Sequence, residues 1–237
     1  ARLPGPGSVI ASSFTSPIDA VYLAAIFDPI FTACYPNTGQ VEQISLLQAI
    51  IRSFLPPQVT PRPGTRMVDI STLLEKYPTR PVVIFPECTT TNSRGVLPLS
   101  PSLLSIPSET EIFPVSLRYT PLDVVTPLPG TYLSFLWALL SGPTHGIRVR
   151  IAESIRGGFT EALNSSTRIT RRSASNYPDN LGQNGDLGDA NVAQGEGGLL
   201  DQVGESLARL GRVKRVGLGV KEKSDFVRIW TKSRRTW

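Results

Sequence analysis

Apolar residues in the first part of the chain fall into short runs that alternate with stretches of helical spacing. Residues 7–12, GSVIAS, are short, β-branched and preceded by PGP, which predicts a strand. SPIDAVYLAAIF predicts a helix: Ser16 suits the N-cap, Pro17 the first turn, and Asp19, three positions on, a capping box. PIFTACY predicts another strand. In VEQISLLQAIIRSFL, Ile44, Leu47, Ile51 and Leu55 recur at helical spacing, and the paired prolines that follow end the helix. MVDISTLLEKY predicts a short amphipathic helix. PVVIF is a continuous apolar run of the kind buried on both faces of a parallel sheet. EIFPVSLRY and GIRVRIAE add two strands. Strands alternating with helices predict an α/β fold whose central sheet is covered by helices.

The pattern breaks after about Gly157. NSSTRITRRSASNYPDNLGQNGDLGDANVAQGEGG has few large apolar residues and cannot bury enough surface to offset its ordering entropy. Periodicity returns with Leu199, Leu200, Val203, Leu207 and Leu210 on one helical stripe, and the chain is strongly basic from Arg209 onward. The expected organisation is a domain over residues 1–157, a disordered insertion over 158–198 and a basic amphipathic helical tail over 199–237.

Composition narrows the function classes. The 237 residues are 40% hydrophobic, enough for one sizeable core. The chain starts at Ala1 and its single Met is Met67, so it reads as a fragment whose natural N-terminus is absent. Two cysteines, Cys34 and Cys88, make a disulfide framework an unneeded assumption, and one histidine, His145, excludes a His-rich metal site. No apolar run approaches the roughly 20 residues of a membrane-spanning helix. YLSFLWALL, residues 132–140, is either a buried helix or a segment lying in a membrane interface with Tyr132 and Trp137 as anchors. The net charge of +5, gathered in the C-terminal part, suits an anionic membrane surface. No nucleic-acid-binding motif accompanies it, so nucleic acid is not an expected partner.

The densest chemistry follows PVVIF. Glu87 sits at the carboxyl end of that strand, where open α/β sheets gather ligands, and Thr89, Thr90, Thr91, Asn92 and Arg94 come next. Hydroxyls, backbone N–H groups and a guanidinium in one loop can hold a phosphate or a polyol; the plain alternative is a polar surface loop.

IFPECTTTN resembles the F-P-E-G-T block of the lysophosphatidic acid acyltransferase family, glycerolipid acyltransferases that use acyl-CoA. Phe85, Pro86, Glu87 and Thr89 fall on the block, Thr91 and Asn92 on an E-G-T-C-T-N extension, and Cys88 replaces glycine. EIFPVSLRY resembles a later family block around a proline, here Pro114. SSFTSPIDAVYL resembles N-H-T-S-x-x-D with Ser13 in place of Asn and Phe14 in place of His; Thr15, Ser16 and Asp19 match. These blocks together with the polar insertion and ARLGRVKRVGLGV are similar to the fungal lysophosphatidic acid:oleoyl-CoA acyltransferase subgroup.

The resemblance implies a glycerol-phosphate-acyltransferase-like fold with a central mixed, mostly parallel sheet, no cofactor, and acyl-CoA as co-substrate with a lysophospholipid acceptor. It implies a catalytic pair at Phe14 and Asp19, with the histidine lost, and acceptor contacts from Glu87, Thr89, Thr91, Asn92 and Arg94. It also implies the cytosolic face of the endoplasmic reticulum membrane or a lipid droplet. In the family, the histidine takes the proton of the attacking hydroxyl, and a phenyl ring accepts no proton. The expected function is therefore acyl transfer to a lysophospholipid, impaired by Phe14, or a catalytically silent lipid-binding protein on the same fold. Arg52, Arg62 and Arg66 occupy the interval of the family's phosphate-binding arginine, and none has matching flanks.

Overall fold

The computed structural model describes residues 3–126, 128–156 and 190–234, with the backbone alone at 190–197 and 234. The strands are β1 (Val9–Ser12), β2 (Ile30–Ala33), β3 (Val41–Ile44), β4 (Met67–Val68), β5 (Val82–Ile84), β6 (Gly95–Val96), β7 (Glu111–Thr120), β8 (Gly146–Ile151), β9 (Ile155–Arg156) and β10 (Lys214–Arg215). The helices are α1 (Pro17–Phe27), α2 (Leu46–Phe54), α3 (Ile70–Lys76), α4 (Tyr132–Ser141), α5 (Ala190–Gly211) and α6 (Val220–Arg234). The main sheet runs β4-β3-β2-β5-β1-β7-β8, with β9 also on β7. Its four central strands, β2, β5, β1 and β7, pair in parallel, and β3, β4, β8 and β9 pair antiparallel at the edges. The expected mixed α/β sheet is present, with parallel pairing confined to its centre.

Successive side chains of β1 point to opposite faces, which splits the core in two. Val9 and Ala11 join Val82, Ile84 and Ile112 on one face, beneath α3 and α5. Ile10 joins Phe31, Val83, Val115 and Leu117 on the other, beneath α1, α2 and α4. The α1 start is as expected: Ser16 is the N-cap, Pro17 follows, and Asp19 completes the capping box.

Several expectations need correction. VEQISLLQAIIRSFL is not one helix: Val41–Ile44 pairs with β2, and Ser45 and Gln48 form the capping box that opens α2. The helix buries Ala49 and Ser53 and packs Ile50 and Phe54 against the core, while Leu47 and Ile51 face outward. YLSFLWALL forms α4, and of its two readings the buried helix does not hold: Phe135 is inside, but Leu133, Trp137 and Leu140 are 83%, 74% and 72% exposed. The insertion expected over 158–198 is helical from 190, and its residues 158–189 lie outside the described residues.

The segment expected as a tail belongs to the same core. Leu199, Val203 and Leu207 of α5 are buried with Val9 and Ile84, and α5 packs along β7. After α5 the chain pairs β10 with β6 in parallel, then forms α6. Among the described residues, no helix is long and apolar enough to cross a membrane.

Candidate functional site

Because β1 and β5 are parallel neighbours, their carboxyl ends open onto the same edge of the sheet, and the two motif blocks meet there. The Thr91 N–H donates to the Phe14 carbonyl at 2.7 Å, and Thr126 ties to both blocks, its N–H to Thr15 O at 2.8 Å and its hydroxyl to Thr91 O at 2.6 Å. The Phe14 ring is buried against Phe85, centroids 4.4 Å apart. It borders a cavity of only about 20 Å³, with Arg52, Cys34 and Cys88. Cys88, in the family's glycine position, has φ 59°. That is left-handed backbone, which explains why glycine suits the position.

Asp19 is fully buried and held from four directions. Its carboxylate accepts from Thr15 N at 2.5 Å, Ser16 N at 2.9 Å, the Thr15 hydroxyl at 3.2 Å and the Tyr119 hydroxyl at 2.5 Å. Burial nonetheless pushes its pKa up to about 6, outweighing those hydrogen bonds. Burial likewise pushes Glu87 up to about 7, against the pull of the Leu97 and Phe14 N–H groups and the Lys223 charge. The Leu97 N–H donates to Glu87 at 3.0 Å. Glu87 draws on the Phe14 N–H and Asp19 on the Thr15 and Ser16 N–H groups, so the two buried carboxyls of the separate motifs serve consecutive residues of one turn.

Beside this cluster lies a cavity of about 480 Å³, between the loop after Glu87 and the start of α6. Thr91, Asn92 and Arg94 line it. Asp19, Phe14, Glu87 and Thr89 do not, and all four are buried. The sequence-expected residues thus divide into an interior group and a cavity group. His145 belongs to neither, its Nε2 lying 3.0 Å from the Leu139 carbonyl near the end of α4. Arg52 is paired with Glu42 at 3.0 Å and donates to the Tyr35 hydroxyl at 3.2 Å. Burial raises both thiols, Cys34 to about 12 and Cys88 higher still, so neither is a ready nucleophile.

Two residues escaped the sequence reading. Tyr119 is 100 positions from Asp19, and no local pattern links them. Lys223 reaches in from α6, its ammonium donating to the Thr90 carbonyl and, at 2.7 Å, to the Thr90 hydroxyl. Burial pushes its pKa down to about 8, against the pull of Glu87. A faint signal existed: a lysine in the first turns of a helix opposes the helix dipole, so another demand has to hold it there.

Over 149 residues the chain is 30% identical to a protein of Schizosaccharomyces pombe whose provisional name is lysophosphatidic acid:oleoyl-CoA acyltransferase. The aligned stretch is 62% of this chain and 49% of that protein, so the chain spans about half the length of this curated relative. That similarity supports the acyltransferase resemblance. No family model matches the chain, and no solved structure matches it.

Proposed function

We propose that this chain is an acyltransferase domain of glycerolipid synthesis that esterifies a lysophospholipid, lysophosphatidic acid foremost, with acyl-CoA as donor, and does so slowly for want of the imidazole. The observation that carries the reading is that two buried carboxyls, Asp19 and Glu87, one from each motif, are both held by the backbone of the Phe14–Ser16 turn. Lysolipid and acyl-CoA are also the substrates implied by the name of the yeast relative. Asp19 holds the turn that opens α1, and Thr91, Asn92 and Arg94 offer the acceptor head group hydroxyl, amide and guanidinium donors.

The protein acts at a membrane surface in this reading, on the cytosolic face of the endoplasmic reticulum or of a lipid droplet. Support comes from α4, whose exposed Leu133, Trp137 and Leu140 offer an apolar face with an aromatic anchor. A second reading, a silent lipid-binding protein, is favoured by one observation: Phe14 is packed on Phe85 and Asp19 has its oxygens occupied. Incubating the unmodified chain with radiolabelled oleoyl-CoA and a panel of lysolipids separates the two. Slow incorporation that depends on the lysolipid supports the enzyme; none with any lysolipid leaves the silent binder.

A further inference from the structure

We propose that Thr90 and Lys223 form a hydroxyl–amine dyad that takes the acyl group from a thioester onto the chain itself, with Thr90 Oγ1 as nucleophile and Lys223 Nζ as its base. The acyl donor rests on the acyl-transfer reading above. The acyltransferase resemblance gives neither residue a role.

The two side chains meet at the wall of the 480 Å³ cavity, Thr90 from the loop after Glu87 and Lys223 from the first turn of α6. Lys223 Nζ lies 2.7 Å from Thr90 Oγ1, within the separation that a nucleophile and its base need. A second bond, to the Thr90 carbonyl, fixes the amine against this one residue. Among the described residues Lys223 makes no ion pair, and both of its acceptors are neutral oxygens. Burial therefore brings its pKa down to about 8 in spite of the pull of Glu87, so a substantial share of the amine is neutral at mildly alkaline pH. Once neutral, the amine has a lone pair, and the Thr90 O–H becomes the donor across the same contact. A lysine paired with a hydroxyl serves as a catalytic dyad on unrelated folds.

In the first half of the reaction Lys223 takes the Thr90 proton as Oγ1 attacks the thioester carbonyl. The C–S bond breaks and the proton passes to the departing thiolate, leaving an ester on Thr90 and a free thiol. In the second half an acceptor hydroxyl gives its proton to Lys223 and attacks that ester. The Thr90 oxygen leaves and takes the proton back. Neither half needs an imidazole, so the path avoids the Phe14 position altogether.

The test incubates the full chain with oleoyl-CoA alone, quenches it in acid and maps the product by peptide mass spectrometry. One oleoyl ester on Thr90 is expected. Thr90→Ser should keep the label on the new hydroxyl, and Thr90→Val should abolish it. Lys223→Met should slow labelling roughly 10²–10⁴-fold, the usual contribution of a positioned base. Lys223→Arg is the decisive variant: it preserves a charged tie between α6 and the loop but does not give up its proton, so it should label as poorly as Lys223→Met. No ester on Thr90 in the folded wild-type chain overturns the proposal, as does labelling at the wild-type rate in folded Lys223→Arg. Transfer to lysophosphatidic acid that persists in Thr90→Val overturns the dyad and leaves the acyltransferase reading intact. An ester on Thr90 that water discharges and no lysolipid does supports the dyad and refutes that reading.

Discussion

The ring of Phe14 lies on the ring of Phe85, centroids 4.4 Å apart and planes 25° from parallel, at the position where the acyltransferase resemblance implies a base. The stack fills the space with carbon and has no lone pair to offer. Phe14→His should raise transfer of oleate from oleoyl-CoA to lysophosphatidic acid roughly 10²–10⁴-fold, the usual contribution of a positioned base. It should also lower stability by about 1 kcal/mol through loss of the aromatic pair. Turnover and thermal unfolding of the same preparation check both. A folded histidine variant that stays at background would mean that the Asp19 cluster no longer supports catalysis.

Stability should fall as pH rises through the mildly acidic range. Asp19 and Glu87 have folded pKa values of about 6 and about 7, raised by burial from 3.8 and 4.5. A raised acid favours the folded state most when protonated, so that contribution is complete below about pH 4 and lost as pH climbs through 6 and 7. At about 1.4 kcal/mol per unit, the combined effect is a few kcal/mol. Lys223 titrates near 8, above this window. Urea unfolding at pH 5 and pH 7.5 should give the higher midpoint at pH 5, and Glu87→Gln should flatten the profile between pH 6 and 7.5. A midpoint that rises with pH contradicts the buried cluster.

Tyr119→Phe removes the hydroxyl that donates to Asp19 at 2.5 Å. A lost hydrogen bond to a charged group costs about 1.5–3 kcal/mol. The loss should be larger at pH 8, where Asp19 is a carboxylate, than at pH 5. Equal losses at both pH values would show that the hydroxyl serves packing alone.

Cys88 holds a left-handed backbone conformation, φ 59°, in a chain position where β-branching is punished. Cys88→Gly should leave stability nearly unchanged, relief of the β-carbon clash being offset by the freedom of the unfolded glycine. Cys88→Val, although apolar and of similar bulk, should cost about 1–2 kcal/mol. Thermal unfolding of the pair decides it.

Replacing Trp137 and Leu140 of α4 by glutamate should weaken binding to anionic vesicles at least tenfold, because each side chain buries about 1.5–3 kcal/mol of apolar surface on insertion. Both are exposed, so the unfolding midpoint should stay within a degree of wild type. Vesicle sedimentation and thermal unfolding read the two effects.

What was legible in the sequence was local. The capping box of Ser16 and Asp19 lies within one turn, and β5 announces itself as an unbroken apolar run. Glu87 could be set beside the Phe14 turn because neighbouring parallel strands end on the same side of a sheet. What stayed hidden was orientation and distance. The spacing of Leu47 and Ile51 says that α2 has an apolar face, but the face turned to the core carries Ala49, Ile50, Ser53 and Phe54 instead. The apolar richness of α4 left burial and a membrane interface both open, and only the structure shows that Tyr132, Phe135 and Leu139 face the core while Leu133, Trp137 and Leu140 are exposed. Tyr119 and Lys223 act on partners 100 and 133 positions away, and only tertiary structure joins them.

The short parallel pairing of β6 with β10 has a consequence for the order of assembly. Val96 and Arg215 are register partners, with Val216 donating to the Val96 carbonyl at 2.9 Å, and a β-carbon on Gly95 would come within 3.0 Å of the Val216 side chain. The threonine-rich loop leaves the ribosome long before the strand and helix that close over it. The cavity beside that loop is therefore among the last parts of the molecule to exist, and a chain cut off just after α5 would keep most of its core while lacking the α6 wall of the cavity.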